Sequence, residues 1–133
     1  MKKLFAAVVI SSVAFVSTSN AITRGEIEKN PLLMGKMLAK RCAWCHDINR
    51  IVIAPPFKTI LERYKNVPDD TLKKQFAEVI KNGSKGKWTK WMKEHIKAKK
   101  LGSVEAMYMP PQRPYYNDKE IELIVNWLLS LRK

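Results

Sequence analysis

The chain has 133 residues, a formal net charge of +13 at pH 7, and 28% charged residues. A chain of this length fits one domain, and the apolar core of such a small domain is modest. Only two cysteines are present, which excludes a structural zinc site built from two cysteine pairs.

Residues 1–21 have the pattern of a secretory signal peptide. Two lysines follow the first methionine, residues 4–16 form an apolar run, and Ser19-Asn20-Ala21 fits the small-x-small cleavage rule. The apolar run is shorter than the roughly 20 residues of a membrane-spanning helix, although an uncleaved anchor is the alternative. The sequence therefore predicts export to the periplasm, with residues 22–133 as the mature domain.

The mature part is predicted to be helical, because no segment alternates convincingly between apolar and polar residues. Apolar residues recur at helical spacing near residues 31–40, 57–64, 69–82 and 118–133. Asp69 or Asp70 is expected to cap the third of these helices, and Asn82-Gly83 to end it. Asn117 and Glu120 have the spacing of a capping box for the last helix.

A basic segment separates the third helix from the last. Residues 84–100 contain seven lysines, interleaved with Trp88, Trp91 and His95 at roughly helical spacing. After it, Met107-Tyr108-Met109-Pro110-Pro111 is expected to be extended, because a proline forces its predecessor out of the helical region.

The strongest local motif is Cys42-Ala43-Trp44-Cys45-His46, the attachment pattern for a c-type haem. Thiols three positions apart lie on one side of a helical turn, where both can bond the vinyl groups at one edge of a porphyrin. His46 follows at a position from which its imidazole can reach the iron. A redox pair of the thioredoxin type would require a βαβ pattern, which is missing here, and a structural disulfide is the other alternative.

The second axial ligand decides what such an iron can do. A protein ligand closes the iron and suits electron transfer, whereas an open position allows chemistry on small ligands. Met109 is the preferred candidate, because the two prolines that follow it hold the backbone extended. Met107 is the next candidate, and His95 would give a bis-histidine site.

At this point the chain resembles the small monohaem class I cytochromes c of bacteria, which carry electrons in the periplasm. Five features match in order: a helix before the haem motif, Pro55-Pro56-Phe57-Lys58, residues 80–88, Met109-Pro110-Pro111, and a closing amphipathic helix. The resemblance implies an all-α class I cytochrome c fold, with helices wrapped around one haem c that is bound covalently through Cys42 and Cys45.

The resemblance also implies roles for individual residues. His46 and Met109 would bind the iron, and the carbonyl of Pro55 would accept a hydrogen bond from His46. Trp88 would lie against the haem and donate to a propionate, and the first and last helices would cross near Gly35. Residues 89–106 depart from the compact members of the family and are interpreted as an added helix with a connector.

We therefore expect a monomeric one-electron carrier that performs no bond chemistry on a substrate. The positive charge suggests redox partners with acidic docking surfaces and leaves open a peripheral contact with an anionic membrane. Nucleic acid is not an expected partner of an exported haem protein. Two alternatives remain: an open-site haem peroxidase or sensor, and a haem subunit of a larger oxidoreductase, for example one that oxidises sulfur compounds.

Overall fold

The computed structural model describes residues 23–96 and 107–132. The expected signal peptide and most of the connector in residues 89–106 lie outside these ranges. Within the two described ranges, six α-helices, one 3-10 helix and two short strands follow in chain order: α1 Arg24–Lys29, α2 Pro31–Leu38, the 3-10 helix Ala39–Trp44, α3 Phe57–Arg63, α4 Asp69–Asn82, β1 Ser84–Lys85, α5 Thr89–His95, β2 Tyr108–Met109 and α6 Asp118–Ser130.

Helix α1 is short, and hydrophobic spacing did not predict it. It begins with a capping box, in which the Thr23 side chain accepts from the Glu26 amide and the Glu26 carboxylate accepts from the Thr23 amide at 2.7 Å. The Thr-x-x-Glu spacing is a known start signal, so it could have revealed this helix. None of its residues is buried.

The crossing of α2 and α6 dominates the contacts between helices, followed by that of α4 and α6. Gly35 is buried in this crossing, and a Cβ atom there would lie 2.7 Å from the Leu123 carbonyl carbon and 2.9 Å from the Trp127 Cβ. The expected close crossing at Gly35 is confirmed. The core around it is formed mainly by α3, α4 and α6, with these buried residues: Ala39, Phe57, Leu61, Leu72, Ile80, Ile121, Ile124, Val125, Trp127, Leu128 and Leu129.

Helix α4 begins one step differently from the expected pattern. Its N-cap is Pro68, so Asp69 and Asp70 are the first residues of the helix and neither caps it; the expected aspartate cap is wrong. Carboxylates in the first turn still stabilise the helix through their interaction with its dipole. Asp69 also forms an ion pair with Arg132 at the end of α6. The predicted end at Gly83 is confirmed, as is the capping box formed by Asn117 and Glu120.

Long-range hydrogen bonds connect the ends of helices. The Tyr116 hydroxyl donates to the Leu38 carbonyl at 2.7 Å, which satisfies an acceptor at the end of α2. The Arg132 guanidinium donates to the carbonyls of Tyr64, Lys65 and Val67, the shortest of these bonds being 2.7 Å to Lys65. These bonds hold the end of α6 against the turn after α3.

The extended Met107–Pro111 segment is confirmed, and part of it forms a small sheet. Strands β1 and β2 pair antiparallel, with Ser84 opposite Met109 and Lys85 opposite Tyr108. Each strand has two residues, which is too short for any alternation of apolar and polar residues to reveal it. The pairing joins the end of α4 to the segment that carries Met109.

Candidate functional site

The haem motif lies at the end of a 3-10 helix rather than in an α-helix. This helix contains Cys42, and Cys45 is its C-cap, with the Cys45 amide donating to the Cys42 carbonyl at 3.1 Å. Residues three apart eclipse each other in a 3-10 helix. The two side chains therefore stand on the same face, which is the arrangement that bonding to one edge of a flat macrocycle requires.

A cavity of about 360 Å³ opens beside this face, a volume within the range of ligand and cofactor sites. Its wall contains Cys42, Cys45, His46, Pro55, Trp88, Met107 and Met109. The structure thus brings together all six residues expected at the site, although they are spread over 68 positions of the chain, together with the alternative ligand Met107. Most of the remaining wall is apolar: Ile53, Ala54, Phe57, Ile60, Leu61, Tyr64, Phe76, Val79, Ile80, Tyr108, Pro110 and Leu128.

His46 is oriented by one hydrogen bond and one aromatic contact. Its Nδ1 atom lies 2.7 Å from the Pro55 carbonyl oxygen, and its ring stacks on Phe57 with the ring centroids 5.1 Å apart. A carbonyl oxygen only accepts, so Nδ1 carries the proton and Nε2 keeps its lone pair. Burial lowers the pKa of His46, and the bond to Pro55 offsets part of this effect. The neutral imidazole is the form that binds a metal.

Cys42 and Cys45 are not joined in a disulfide. Burial is the main cause that raises the pKa of Cys42 to about 11, and the nearby Cys45 adds to this rise. A reactive Cys-x-x-Cys pair depends instead on a lowered pKa that exposes a thiolate. The raised pKa of Cys42 therefore does not favour a role as the reactive thiolate of a thiol–disulfide oxidoreductase. Within the described parts of the chain, no cluster of three or more histidine, cysteine or acidic side chains is suited to a metal ion.

Met107, Tyr108 and Met109 all line the cavity, and the two methionines, as alternate residues of an extended segment, stand on the same side of that segment. Met109 packs against the hydrophobic core, whereas Tyr108 between the two methionines is largely exposed. The backbone of Met107 is held from another direction: its amide donates to the Thr89 hydroxyl at 2.7 Å, and its carbonyl accepts from Gly86 at 2.8 Å. The two thioethers therefore reach the same cavity from differently anchored positions.

Trp88 occupies the cavity wall at the start of the added segment. The Arg63 guanidinium lies 4.4 Å from the centroid of its ring, and Trp91 contacts the same ring edge to face at 5.7 Å. His95 is exposed and stacks on Trp91, and its Nδ1 donates to the Trp91 carbonyl at 2.8 Å. His95 is not part of the cavity wall, so this arrangement does not supply a histidine as second ligand or distal acid.

The added segment is helical where it is described, in α5. Met92 of this helix is fully buried, and the hydrogen bond from the Met107 amide to the Thr89 hydroxyl connects the start of α5 to the Met107 segment. Its exposed lysines, Lys90 and Lys93, continue the basic surface from Lys85 and Lys87. The part of the insertion in residues 97–106 lies outside the described residues.

Phe57 belongs to the Pro55-Pro56-Phe57-Lys58 feature, but no role at the site was predicted for it. Besides stacking on His46, its ring meets Trp127 of α6 edge to face at 5.8 Å, which links the histidine to the core. Its position directly after Pro55-Pro56 was the available signal. Tyr64 and Phe76 form a similar edge-to-face pair at 5.7 Å on the cavity wall, and only the tertiary structure brings these two rings together.

An all-α domain with a haem attachment motif on the wall of an apolar cavity defines a small haem-binding protein. The chain matches the family model of cytochrome c over residues 34–132, and it belongs to the cytochrome c family. Among curated protein sequences, none matches the chain significantly.

Two solved structures illustrate the similarity. Wild-type cytochrome c552 of Nitrosomonas europaea is 28% identical, with a TM-score of 0.52, and the match covers 72% of this chain and 98% of that one. The class 1 cytochrome MtoD of Sideroxydans lithotrophicus ES-1 is 19% identical, with a TM-score of 0.53, and the match covers 74% of this chain and 94% of that one. At this lower identity the second match shows similarity of the fold alone.

The expected all-α class I cytochrome c fold is confirmed, and the protein is an electron carrier with a haem c bound covalently through Cys42 and Cys45. The cavity fits this group, since the wall offers two thiols on one face, an imidazole with a free nitrogen, two thioethers and an otherwise mainly apolar surface. Such cytochromes exchange electrons with redox partners.

Proposed function

We propose that this protein is a periplasmic one-electron carrier whose haem iron is bound by His46 and Met109. The observation that carries the proposal is the single cavity wall on which Cys42, Cys45, His46 and Met109 meet. The bound haem c supplies one-electron exchange between ferrous and ferric iron, and a histidine–methionine pair favours a positive potential.

Individual residues of the chain have further roles at the site. The Pro55 carbonyl holds the proton of His46 on Nδ1 and so presents Nε2 to the metal, which also fixes the orientation of the ring. Met109 would be the second protein ligand of the iron, and its contact with the core would keep the thioether in place. Trp88 lies on the cavity wall and would offer its indole N–H to a propionate, while the Arg63 guanidinium lies over its ring.

Location in the periplasm is supported by the signal pattern of residues 1–21 and by the class, whose members are typically exported. Within residues 23–96 and 107–132, no helix is long and apolar enough to cross a membrane. We expect the mature chain to begin at Ile22, which intact-mass spectrometry of the periplasmic fraction would test. A mature protein that retained the apolar run would contradict cleavage.

Cleavage after Ala21 removes two lysines from the formal net charge of +13, and the remaining charge of +11 supports partners with acidic docking surfaces. Lys85, Lys87, Lys90 and Lys93 are exposed around the cavity wall and α5, and Lys87 lines the cavity itself. Long-range attraction of this kind raises the encounter rate with an acidic protein while the complex stays short-lived. The same lysines offer a peripheral contact to anionic lipid.

The axial ligand is tested by absorption spectra of the purified ferric and ferrous protein, with and without carbon monoxide. The ferric protein should show a sulfur-to-iron charge-transfer band that Met109→Ala abolishes, and carbon monoxide should bind only that variant. Met107→Ala is the matched control and should keep the band. Loss of the band in Met107→Ala instead would assign the iron to Met107, and ready binding of carbon monoxide by the unaltered protein would favour an open-site enzyme or sensor.

A further inference from the structure

Gly83 ends α4 directly behind the segment that carries Met109. Its backbone has φ 77° and ψ −177°, a combination that is essentially restricted to glycine. The next glycine along the chain, Gly86, also has a positive φ of 79°. The two glycines therefore share a positive φ but differ in their surroundings.

At Gly83 a side chain would collide with backbone. A Cβ atom there would meet the carbonyl oxygen of Met109, the nitrogen of Pro111 at 2.9 Å and the carbonyl carbon of Pro110 at 3.1 Å. These atoms cannot rotate aside as the tip of a side chain can. At Gly86, by contrast, an added Cβ would have no neighbour within 4 Å.

The Met109 segment is fixed on both sides of this contact. Ser84 pairs with Met109 in the small sheet, and the Gln112 amide donates to the Ile80 carbonyl at 2.9 Å. The segment therefore cannot move away from Gly83 while keeping both of these connections to α4. Separating Cβ from these atoms to ordinary contact distance would require a shift of roughly 0.5–1 Å.

We propose that Gly83 is a positioning residue for the axial thioether: the missing side chain lets the Met109 backbone lie directly against the end of α4, at the depth from which its sulfur reaches the iron. This inference rests on the proposed role of Met109 as a ligand. It assigns Gly83 a function in setting the iron ligation and the potential, in addition to ending a helix.

The experiment uses the holoprotein carrying Met107→Leu, so that the neighbouring thioether cannot take the iron. In this background, Gly83→Ala is compared with Gly86→Ala, which also places an alanine at a positive φ but without the collision. The measurements are the sulfur-to-iron charge-transfer band, the reduction potential, and the affinity of the ferric iron for imidazole, which competes with the thioether.

We expect Gly86→Ala to keep the band and the potential of the background protein. Gly83→Ala should lose the band, show a lower potential, bind carbon monoxide in the ferrous state, and bind imidazole at least about tenfold more tightly. An unchanged band and potential in Gly83→Ala would overturn the inference, as would equal loss in both alanine variants. A background protein without the band would instead refute Met109 as the ligand, which is the failure of the proposed function itself.

The imidazole complexes also provide a stability control in case Gly83→Ala is unstable. It supplies a sixth ligand that does not depend on the Met109 segment. The imidazole complexes of Gly83→Ala and Gly86→Ala should therefore unfold at similar guanidinium concentrations, even if the ligand-free proteins differ. If Gly83→Ala stays much less stable in its imidazole complex, the alanine damages the fold in general, and the positioning role is refuted.

Discussion

Replacing Gly35 by alanine sets two opposing effects against each other. Alanine is favoured over glycine inside a helix by about 1 kcal/mol, so propensity alone predicts a more stable protein. The added Cβ, however, would collide with the backbone of Leu123, including its carbonyl oxygen, and would lie 2.9 Å from the Trp127 Cβ. Relief requires α2 and α6 to separate along the most extensive helix contact of the domain.

The size of the loss follows from these contacts. Overpacking of a tight interior costs about 1–3 kcal/mol, and the atoms met first at Gly35 belong to backbone, which places the cost at the upper end. After the gain in propensity, we expect a net loss of about 2 kcal/mol in the free energy of unfolding. For a domain of this size that lowers the Tm by roughly 10 °C.

Guanidinium unfolding of the holoprotein, followed by circular dichroism, measures this loss. Gly25→Ala is the matched control, since it changes a helical glycine of α1 that has no atom within 4 Å of the added Cβ. It should stabilise the protein by about 0.5 kcal/mol or leave it unchanged. Equal or greater stability of Gly35→Ala would refute the steric argument, because propensity would then outweigh the helix contact.

Three further predictions concern single bonds and the surface charge. Tyr116→Phe removes the hydrogen bond to Leu38 and should lower the free energy of unfolding by about 1 kcal/mol; an unchanged unfolding midpoint would contradict this. Arg132→Lys should lower the free energy of unfolding by about 1–2 kcal/mol, because one ammonium cannot replace a guanidinium that donates to several carbonyls. The control Arg24→Lys changes an exposed ion pair and should alter the free energy of unfolding by less than about 0.5 kcal/mol. Stopped-flow electron transfer with an acidic partner should slow steeply as salt shortens the Debye length from about 10 Å at 0.1 M to about 3 Å at 1 M, and a rate independent of salt would argue against electrostatic steering.

The arrangement of the site explains why stability and function are closely connected in this domain. His46 contacts the core through Phe57, and Phe57 in turn meets Trp127 of α6. The wall of the cavity is therefore also part of the hydrophobic core. Binding of a largely apolar group in such a cavity completes the core of a small domain, so we expect the chain without haem to be poorly folded, as in other domains that fold with their cofactor.

Much of the site was predictable because its features are local. The haem motif places two thiols and an imidazole within five residues, and their spacing fixes which side chains share a face. The extended backbone at Met109 followed from the two prolines after it, the end of α4 from Gly83, and the start of α6 from the pair Asn117 and Glu120. Each of these signals acts on backbone a few residues away, so it can be recognised in the sequence without the tertiary structure.

Other features depend on segments that meet only in the folded protein. The collision partners of Gly35 lie in α6, the strand partner of Ser84 is Met109, and Asp69 pairs with Arg132 rather than capping its own helix. No periodicity encodes such contacts, because they join positions 25 to 92 residues apart. The sequence by itself therefore determined the cofactor chemistry and most helix boundaries. The tertiary structure decided how closely α2 meets α6 and what anchors the Met109 segment, since these depend on the packing of distant backbone.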